Sequence, residues 1–566
     1  MKSALSDRFS RAQNAIWLRS LRRGGGLGLL VGLAVVTTPL QAMFLPSARY
    51  SGPPLPPSSL TVPPQRTLAW SQESVLARHI FASYAARSLG NFAKSGKGGG
   101  GRILLARLLA RQQLAETNQY ILAAQPWGVT GTSGWQNPKG DYDFESSVLT
   151  TILWLFGEDS ATLTPAAREH LLHVLLTEEG GDYRAAAPNT GGLIEETENH
   201  LLMTEGSRYL KNRWLQRHGN AAPLYNNVAN GLEDKLLTLL AAIRTAGFHE
   251  FNSQPYIGYT ILGLLNLEAF ASDHVRASAR QVLDAMNFNY ALGSYRLRHF
   301  PPFRRRIEYA GMTSLTAGYH TAYMTAWLSY AEQPLVLPEL PGAGVTHALI
   351  GAALPYRPPD AVVRLLFDKG PGYFVKIGHG EKGSPEIYSA GPGFLLSAGG
   401  VHRGKLSVIV ARPITLQLDD NVTELAEVFH LAGPGTDFRA WNNTGVQENF
   451  ACAAGPVHIP ARFKAVQSNK VWRIYAGGPG LLLAVHSTPA LGLLAVFPGA
   501  DPVALLAALG RANPTAEALA HEFTFPHGQK LTYDLASNPD QWVMLTAAGQ
   551  KLDRNFDQWP LLDGRL

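Results

Sequence analysis

The sequence contains only one cysteine, Cys452, among its 566 residues. A single thiol excludes an internal disulfide and any metal site built from several cysteines. The net charge after residue 42 is also small. Residues 1–42 hold six basic residues and one acidic residue, and thus five of the chain's six net positive charges. The nearly neutral remainder gives no electrostatic reason to expect nucleic acid as a partner.

Two signatures of nucleotide-binding proteins are missing as well. The glycine run Gly98–Gly101 lacks the Lys-Ser/Thr pair that would make it a phosphate-binding loop. The chain also lacks a regular alternation of strand-like and helix-like segments, which argues against a parallel nucleotide-binding sheet.

Residues 1–42 differ from the rest of the chain. Arg19, Arg22 and Arg23 precede an apolar, glycine-rich run that ends in small residues near Ala42. This layout is typical of a secretory signal peptide, since the apolar part is short for a membrane-spanning helix. Retention as an uncleaved anchor is the alternative. The sequence thus predicts a periplasmic or secreted protein, with no stable membrane association once the signal peptide is removed.

Residues 43–70 include a proline-rich stretch, Leu45–Pro64, which is predicted to form an extended linker. From residue 71 to 335, apolar residues recur at spacings of three and four, which predicts an all-helical domain. The predicted helices are Ser74–Leu89, Arg102–Ala123, Phe144–Phe156, Pro165–Thr177, Glu196–Leu215, Leu232–Ala246, Tyr256–Ala271, His274–Leu292 and Leu315–Tyr330.

The pattern changes after the proline-rich segment Pro334–Pro341. From Val345 onward, short apolar and aromatic runs such as AVVRLLF (361–367) are separated by Gly, Pro and Asn, as expected for antiparallel strands. One helix is predicted at Pro502–Leu509. The sequence therefore predicts a multidomain chain in which a helical domain at 71–335 precedes an antiparallel β-sandwich domain at 345–566.

The segment Glu195–Tyr209 is dense in groups that transfer protons or bind anions. Four carboxylates surround the adjacent residues Asn199 and His200 at a predicted helix start, where acidic side chains suit the positive end of the helix dipole. A purely structural role is the alternative, because Asn199 falls on the apolar stripe of the helix and buried polar groups are usually satisfied by hydrogen bonds.

A second such segment, His249–Tyr259, contains Glu250 and Asn252 and then enters another predicted helix. Tyr256 and Tyr259 are three residues apart and therefore share one face of that helix. Packing of two buried rings is the alternative. If both helices begin at the same end of a helical ring, the two segments line one cleft.

This architecture and these residues resemble the polysaccharide lyases of the chondroitin AC, hyaluronate, heparinase and alginate lyase type. Asn199 and His200, then Arg244, then Tyr256 or Tyr259 are similar in order and spacing to the catalytic set of the toroid alginate lyases. The resemblance implies an (α/α) toroid followed by an antiparallel β-sandwich. It also implies an exported enzyme that cleaves an acidic, uronic-acid-containing polysaccharide by β-elimination.

The chemistry of such a lyase assigns a role to each of these residues. Asn199 and Arg244 would neutralise the sugar carboxylate as charge develops beside it. His200 would remove the proton, because the ordinary pKa of a histidine lies near neutrality. Tyr256 or Tyr259 would protonate the leaving glycosidic oxygen. No metal or organic cofactor is required.

Glu198 and Glu250 have two interpretations. In a lyase, Glu198, Glu250 or the nearby Glu196 would orient His200, with salt-bridge partnership as the alternative. In an inverting glycoside hydrolase, which is the main alternative function, Glu198 and Glu250 would be the acid and the base, because that reaction needs two carboxyl groups separated enough to admit water.

A third function is that of a noncatalytic glycan-binding or envelope protein, with Trp127, Trp135 and Tyr256 as stacking surfaces. Asp141 and Asp143, near Trp135, are further candidates for contact with the glycan. Aspartates in such a loop more commonly cap it.

A proline-bounded loop carries Arg304, Arg305 and Arg306. A guanidinium fork can hold a carboxylate or a sulfate, so this loop is a candidate anion site, with an ordinary solvated turn as the alternative. The predicted substrate-binding residues are Glu198, Asn252, Trp135, Arg304, Arg305 and Arg306.

The predicted β domain contains one polar segment near turns that could cover the cleft. It includes Glu386, Tyr388, His402 and Arg403. The sequence assigns no chemistry to these residues.

Overall fold

The computed structural model describes residues 74–92, 99–126, 142–177, 184–186, 193–195, 197–305, 307–330, 342–380, 383–401, 408–433, 444–499, 501–536 and 540–565. These residues belong to one compact unit. The predicted signal peptide at 1–42 and linker at 43–70 lie outside the described residues.

The N-terminal part of the described chain is helical. Its helices are α1 (Val75–Ala85), α2 (Gly99–Ala110), α3 (Leu114–Ala123), α4 (Asp143–Phe156), α5 (Pro165–His173), α6 (Glu198–Arg217), α7 (Leu232–Ala246), α8 (Tyr256–Phe270), α9 (Asp273–Leu292), α10 (Tyr319–Leu328), α11 (Gly342–Ala353) and α12 (Asp360–Phe367). Short strands interrupt them at β1 (Arg184–Ala186), β2 (Leu193–Glu195), β3 (Ser294–Tyr295), β4 (Arg298–His299) and β5 (Phe303–Arg304).

Helix α7 shows why these segments are helical. Leu236, Leu240 and Ile243 recur at spacings of four and three and are buried on one face. The helix has acidic residues in its first turn and ends before Gly247, whose φ of 77° lies in the left-handed region that favours glycine. Its observed bounds are those predicted from the sequence.

Two predictions about this region are wrong. The predicted helix Arg102–Ala123 is two helices, α2 and α3, because Gln113 adopts a left-handed conformation with φ of 51°. The segment 361–367, predicted to be a strand, lies in α12. Val362 and Leu366 are four residues apart and both buried, which suits a helix that begins directly after prolines.

Antiparallel sheets make up the C-terminal part and begin at Tyr373. The strands are β6 (Tyr373–Ile377), β7 (Glu386–Gly391), β8 (Phe394–Gly399), β9 (Ile409–Val410), β10 (Ile414–Leu418), β11 (Phe429–Leu431), β12 (Thr444–Gln447), β13 (Phe450–Ala453), β14 (Val457–His458), β15 (Ala465–Ser468), β16 (Arg473–Gly478), β17 (Leu481–Thr488), β18 (Leu491–Pro498), β19 (Glu522–Thr524), β20 (Lys530–Tyr533), β21 (Met544–Ala547), β22 (Gln550–Lys551) and β23 (Asp563–Arg565). The expected helix is present as α13 (Pro502–Ala512), capped by the side chain of Asp501.

The strands form a seven-stranded sheet in the order β14-β11-β10-β8-β7-β6-β23, a six-stranded sheet in the order β12-β13-β18-β17-β16-β15 and a four-stranded sheet in the order β19-β20-β21-β22. Side chains of all three sheets share one hydrophobic core, which includes Leu396, Leu483 and Phe523. The predicted order of a helical part followed by antiparallel sheets is therefore confirmed.

The helical part contacts the sheets at several places. Leu292 and Tyr295 pack against the face of the seven-stranded sheet that carries Val375 and Tyr388. In addition, β5 pairs with β9, so that the loop after β5 is held by a strand from the C-terminal part. This second contact fixes the backbone of the arginine loop described below.

None of the described helices combines the length and the apolar character needed to cross a membrane.

Candidate functional site

Three helix starts bring the predicted site residues together. Helices α4, α6 and α8 pack against one another. Their first turns carry Asp143, His200 and Tyr259, whose side chains are all buried. Contacts between these first turns show that the three helix starts meet at one end of the packing.

The centre of this cluster is the pair formed by His200 and Asp143. The Nδ1 atom of His200 lies 2.5 Å from Oδ2 of Asp143. The aspartate is fully buried, and the histidine is 7% exposed. Since the carboxylate accepts a hydrogen bond from Nδ1–H, Nε2 is the basic nitrogen of the neutral ring. Asp143 thus fixes both the orientation and the tautomer of His200.

Aromatic rings surround the histidine. Phe144 contacts the rings of both His200 and Tyr259, with centroid distances of 5.3 and 4.4 Å. Tyr256 belongs to the same small buried cluster. The Arg102 guanidinium lies 5.2 Å from the centroid of the Tyr259 ring, a cation–π contact. The predicted tyrosines therefore lie close to the predicted histidine.

Asn199 is 1% exposed at the start of α6. Its Oδ1 atom accepts a hydrogen bond from the Thr197 hydroxyl. Its Nδ2 atom is buried and has no hydrogen-bond partner among the described residues. A buried amide nitrogen without an acceptor costs free energy, so this NH₂ group is suited to donate to an external oxygen.

The turn before α8 is held to the start of α6 by Glu198. Its Oε1 atom accepts a hydrogen bond from the backbone N–H of His249. Burial raises the pKa of Glu198 to about 7, and the neighbouring Glu250 carboxylate adds to the increase. Burial, together with Arg304 and Arg305, lowers the pKa of His249 to about 3, so this histidine is neutral.

Glu250 is anchored by the arginine loop. Its Oε1 atom forms an ion pair with Arg305, whose guanidinium also lies 5.0 Å from the centroid of the Tyr256 ring. The backbone N–H of Arg305 donates to the carbonyl of Val408 at 2.8 Å. Next to it, Arg304 contacts Nδ1 of His249 at 3.4 Å. The loop predicted to bind anions therefore borders the same cluster.

Two predicted residues have other surroundings. Arg244 is exposed and donates to Gln281 on α9. Asn252 donates to the carbonyl of Pro302 at 3.2 Å and thereby links two loops. Both line a cavity on the side of α7 and α9. The structure does not bring Arg244 to His200, and Trp135 and Arg306 lie outside the described residues.

The sequence interpretation missed the partner of His200. The sequence predicts that Glu196, Glu198 or Glu250 orients the ring, whereas Asp143 does so. For Asp143 the sequence predicts only glycan contact or loop capping. The available signal was an acidic residue in the first turn of a neighbouring helix. Arg102 and His347 also lie beside Tyr259, and the ring centroid of His347 is 5.2 Å from that of Tyr259. No pattern in the sequence identifies these two residues as part of the cluster.

A second histidine–carboxylate pair lies in the C-terminal part. His379 Nε2 is 2.6 Å from Oε1 of Glu386, and the Tyr388 hydroxyl donates to Oε2. Phe251 stacks on the His379 ring with a centroid distance of 3.6 Å. Burial by itself would raise the pKa of Glu386, but the hydrogen bond and charge of His379 outweigh it and hold that pKa below its ordinary value.

His379 and Glu386 line the same cavity as Arg244. Across the described ranges, no group of three or more His, Cys, Asp or Glu side chains is arranged to hold a metal ion. Comparison with protein-family models, curated proteins and solved structures finds no match to this chain.

Proposed function

We propose that the protein is a polysaccharide lyase that cleaves a uronic-acid-containing glycan by β-elimination. The observation that carries this proposal is the Asp143–His200 pair beside Asn199, whose buried amide nitrogen has no partner among the described residues. A base fixed in one tautomer and an unsatisfied donor are two of the groups that proton removal next to a carboxylate requires.

In the proposed reaction, Asn199 donates a hydrogen bond to the uronate carboxylate and stabilises the negative charge that develops there. Neutral His200 accepts the C5 proton at Nε2 and becomes an imidazolium that Asp143 stabilises. The C4–O bond breaks as the C4=C5 double bond forms. Tyr256 or Tyr259 gives its phenolic proton to the leaving oxygen, which becomes the new reducing end of the other fragment.

The remaining features of this proposal follow from the resemblance to lyases. They are an (α/α) toroid followed by a β-sandwich, export to the periplasm or the outside, and an acidic polysaccharide as the partner. A noncatalytic glycan-binding protein would need a cleft beside these residues but neither the base nor the acid.

Hydrolysis by Glu198 and Glu250 is the second candidate function. The raised pKa of Glu198 favours it, because a carboxyl group protonated near neutrality can act as a general acid. Both carboxylates are, however, engaged in holding the turn before α8, one by the His249 backbone N–H and the other by Arg305. These contacts favour a structural role for both groups.

One experiment separates the three functions. The protein without residues 1–42 is incubated with a panel of uronic-acid and neutral glycans while ultraviolet absorbance and reducing ends are recorded together. A lyase raises both signals, because elimination creates a conjugated double bond and a new reducing end. A rise in reducing ends alone would replace the lyase proposal with hydrolysis, and no rise in either would leave glycan binding.

A further inference from the structure

The cavity beside the second histidine–carboxylate pair lies where the helical part meets the sheet part, and we call it the junction cavity. Its walls come from α7, α8, α9 and the turn 247–252, and from His379, Glu386 and Leu561 of the C-terminal part. Because both parts of the molecule contribute walls, a molecule bound there contacts both.

The junction cavity is separate from the His200 cluster, although one turn borders both. In the turn 247–252, the His249 backbone and the Glu250 side chain contact residues of the cluster. Phe251 and Asn252 line the cavity instead. The proton-transferring groups of the proposed lyase are not among the described residues that line the cavity. The chemistry of the cavity therefore has to be derived from its own walls.

His379 presents one ring nitrogen that the described residues leave without a partner. Its Nε2–H donates to Oε1 of Glu386 at 2.6 Å. Its Nδ1 atom is buried and has no hydrogen-bond partner among the described residues. Nδ1 accepts a hydrogen bond in the neutral ring and donates one in the imidazolium. A hydroxyl group suits either form, because it can both donate and accept.

Two further side chains of the cavity offer acceptors. Nε2 of His320 lies 2.8 Å from Oδ1 of Asn287 and carries the hydrogen, because Oδ1 can only accept. Burial lowers the pKa of His320 well below its ordinary value, so the ring is neutral and Nδ1 is its basic nitrogen. Oδ1 of Asn289 is buried and has no donor among the described residues. Buried acceptors without a donor cost free energy, so these walls favour a ligand with hydroxyl groups.

The remaining walls are mainly apolar, and the space is small. Ile243, Ile257 and Met286 contribute apolar side chains from three helices, and such walls disfavour a charged ligand. The space open to the centre of a water molecule is about 70 Å³. One water needs roughly 10 to 15 Å³ by that measure, so the cavity has room for about five to seven nonhydrogen atoms. A pyranose sugar is larger than this.

We infer that the junction cavity binds a small uncharged polyol, a molecule with a short carbon chain and at least two hydroxyl groups. The carbon chain packs against the apolar walls. One hydroxyl pairs with Nδ1 of His379, and another donates to Oδ1 of Asn289. His320 accepts from a third hydroxyl where the ligand has one. One molecule can reach these groups because all three residues line the same small cavity.

Ligand-observed nuclear magnetic resonance tests this inference, because saturation transfer from the protein detects weak binding of small molecules. The probes are glycerol, propane-1,2-diol, butan-1-ol and glucose. Glycerol and propane-1,2-diol should bind saturably and compete with each other. Butan-1-ol should bind about two- to tenfold more weakly than propane-1,2-diol, the effect of losing one hydrogen bond, and glucose should not compete. Absence of saturable polyol binding, equal affinity for butan-1-ol, or competition by glucose overturns the inference.

A cavity-filling variant locates the binding site. Ala285→Leu places a larger side chain at the wall of the cavity and should abolish glycerol binding. Ala277→Leu is the matched control, because Ala277 is also a half-buried residue of α9 but is not part of the lining. Glycerol affinity should be unchanged in this control. Equal affinities in the two variants would place the binding elsewhere and overturn the inference.

Asn289→Leu tests the acceptor without filling the cavity. It removes the buried oxygen at similar side-chain volume and should weaken glycerol binding about two- to tenfold. Thermal unfolding without ligand shows whether each variant is folded. An unchanged affinity in folded Asn289→Leu contradicts the assigned contact. None of these measurements needs turnover, so their outcome is independent of whether the protein is a lyase.

Discussion

The helical part and the sheet part of the molecule each contain a histidine hydrogen-bonded to a buried carboxylate. The distances are nearly equal, 2.5 Å between His200 and Asp143 and 2.6 Å between His379 and Glu386. Such a pair by itself therefore does not identify a catalytic site. The neighbours of each pair must distinguish them.

Each pair has one buried nitrogen without a hydrogen-bond partner among the described residues, and in the second pair this atom is Nδ1 of His379 itself. Beside His200, the Asn199 amide nitrogen has no partner among the described residues, which suits the binding of a ligand. In the second pair, the other oxygen of Glu386 accepts from Tyr388, and Phe251 covers the His379 ring. The second carboxylate is thus saturated by protein groups, as expected of an interaction that joins two parts of a fold.

The carboxylates near the two pairs also differ in the direction of their pKa shifts. Burial and Glu250 raise the pKa of Glu198 to about 7. Glu386 has a lowered pKa, because His379 outweighs its burial. The two parts of the molecule should consequently respond to pH in opposite ways, which gives the comparison a measurable form.

The largest expected effect comes from removing the two histidines separately. His200→Ala should lower kcat by about 10²- to 10⁴-fold, the usual contribution of a general base. His379→Gln, which keeps a donor of similar size, should retain most of the activity. The measurement is the rate of unsaturated product formation, with circular dichroism to check the fold.

Equal loss of activity in both variants would contradict this division between the two pairs. Retained activity in His200→Ala, with loss in Glu198→Gln and Glu250→Gln, would favour the hydrolase function instead.

The second prediction concerns stability at the second pair. Glu386→Gln should lower the free energy of unfolding at pH 7 by about 1 to 3 kcal/mol, because a neutral amide replaces a buried carboxylate that accepts hydrogen bonds from His379 and Tyr388. Since the folded-state pKa of Glu386 is lowered, its contribution is present above the ordinary carboxyl pKa and is lost as pH falls through the folded-state value. The difference between variant and wild type should thus shrink in acid.

Denaturant unfolding between pH 7 and pH 3 measures that difference. Glu522→Gln is the control, because Glu522 forms an exposed ion pair with Lys530 and such pairs contribute about 0 to 1 kcal/mol. A Glu386→Gln variant as stable as this control would show that the second pair does not hold the fold together.

The third prediction has the opposite dependence on pH. Because the folded-state pKa of Glu198 is raised to about 7, the folded protein holds this proton more tightly than the unfolded chain. Wild-type stability should therefore decrease as pH rises from the ordinary carboxyl value toward 7, and Glu198→Gln should lack this decrease. Between pH 5 and pH 8, the variant should gain on the order of 2 kcal/mol relative to wild type.

Denaturant unfolding of both proteins at the two pH values measures this gain. The glutamine retains an oxygen that can accept the His249 N–H, so the hydrogen bond is preserved in the comparison. An identical difference at pH 5 and pH 8 would mean that Glu198 titrates as an ordinary carboxyl group.

The sequence predicted those parts of the fold that depend on local pattern. Helix α7 was bounded correctly because its buried positions, first-turn acids and terminal glycine all agree. Helix α12 was missed because seven residues with several apolar side chains suit a strand equally well, and only packing reveals which residues are buried. Gln113 separates α2 from α3 because it adopts the left-handed backbone conformation, which a glutamine in the sequence does not predict.

The candidate site shows the same limit. Asn199, His200, Tyr256 and Tyr259 could be grouped because each lies at the start of a helix. The pairing of His200 with Asp143 joins residues 57 positions apart and depends on how α4 packs against α6. Several carboxylates were equally plausible partners in sequence, and only the tertiary packing decides among them.

The smallest expected effect belongs to Arg244→Gln. The resemblance to alginate lyases implies that Arg244 stabilises the substrate carboxylate, but this arginine is exposed at the end of α7 and shares a cavity with His379 and Glu386 instead. Loss of an exposed side chain whose hydrogen bond among the described residues goes to Gln281 should change stability by no more than about 0.5 kcal/mol. The kcat and KM of elimination should both stay near the wild-type values, because no contact connects Arg244 to the His200 cluster in the described residues. A large rise in KM would show that the cavity beside the second pair also takes part in substrate binding, and the functional distinction between the two histidine–carboxylate pairs would then fail.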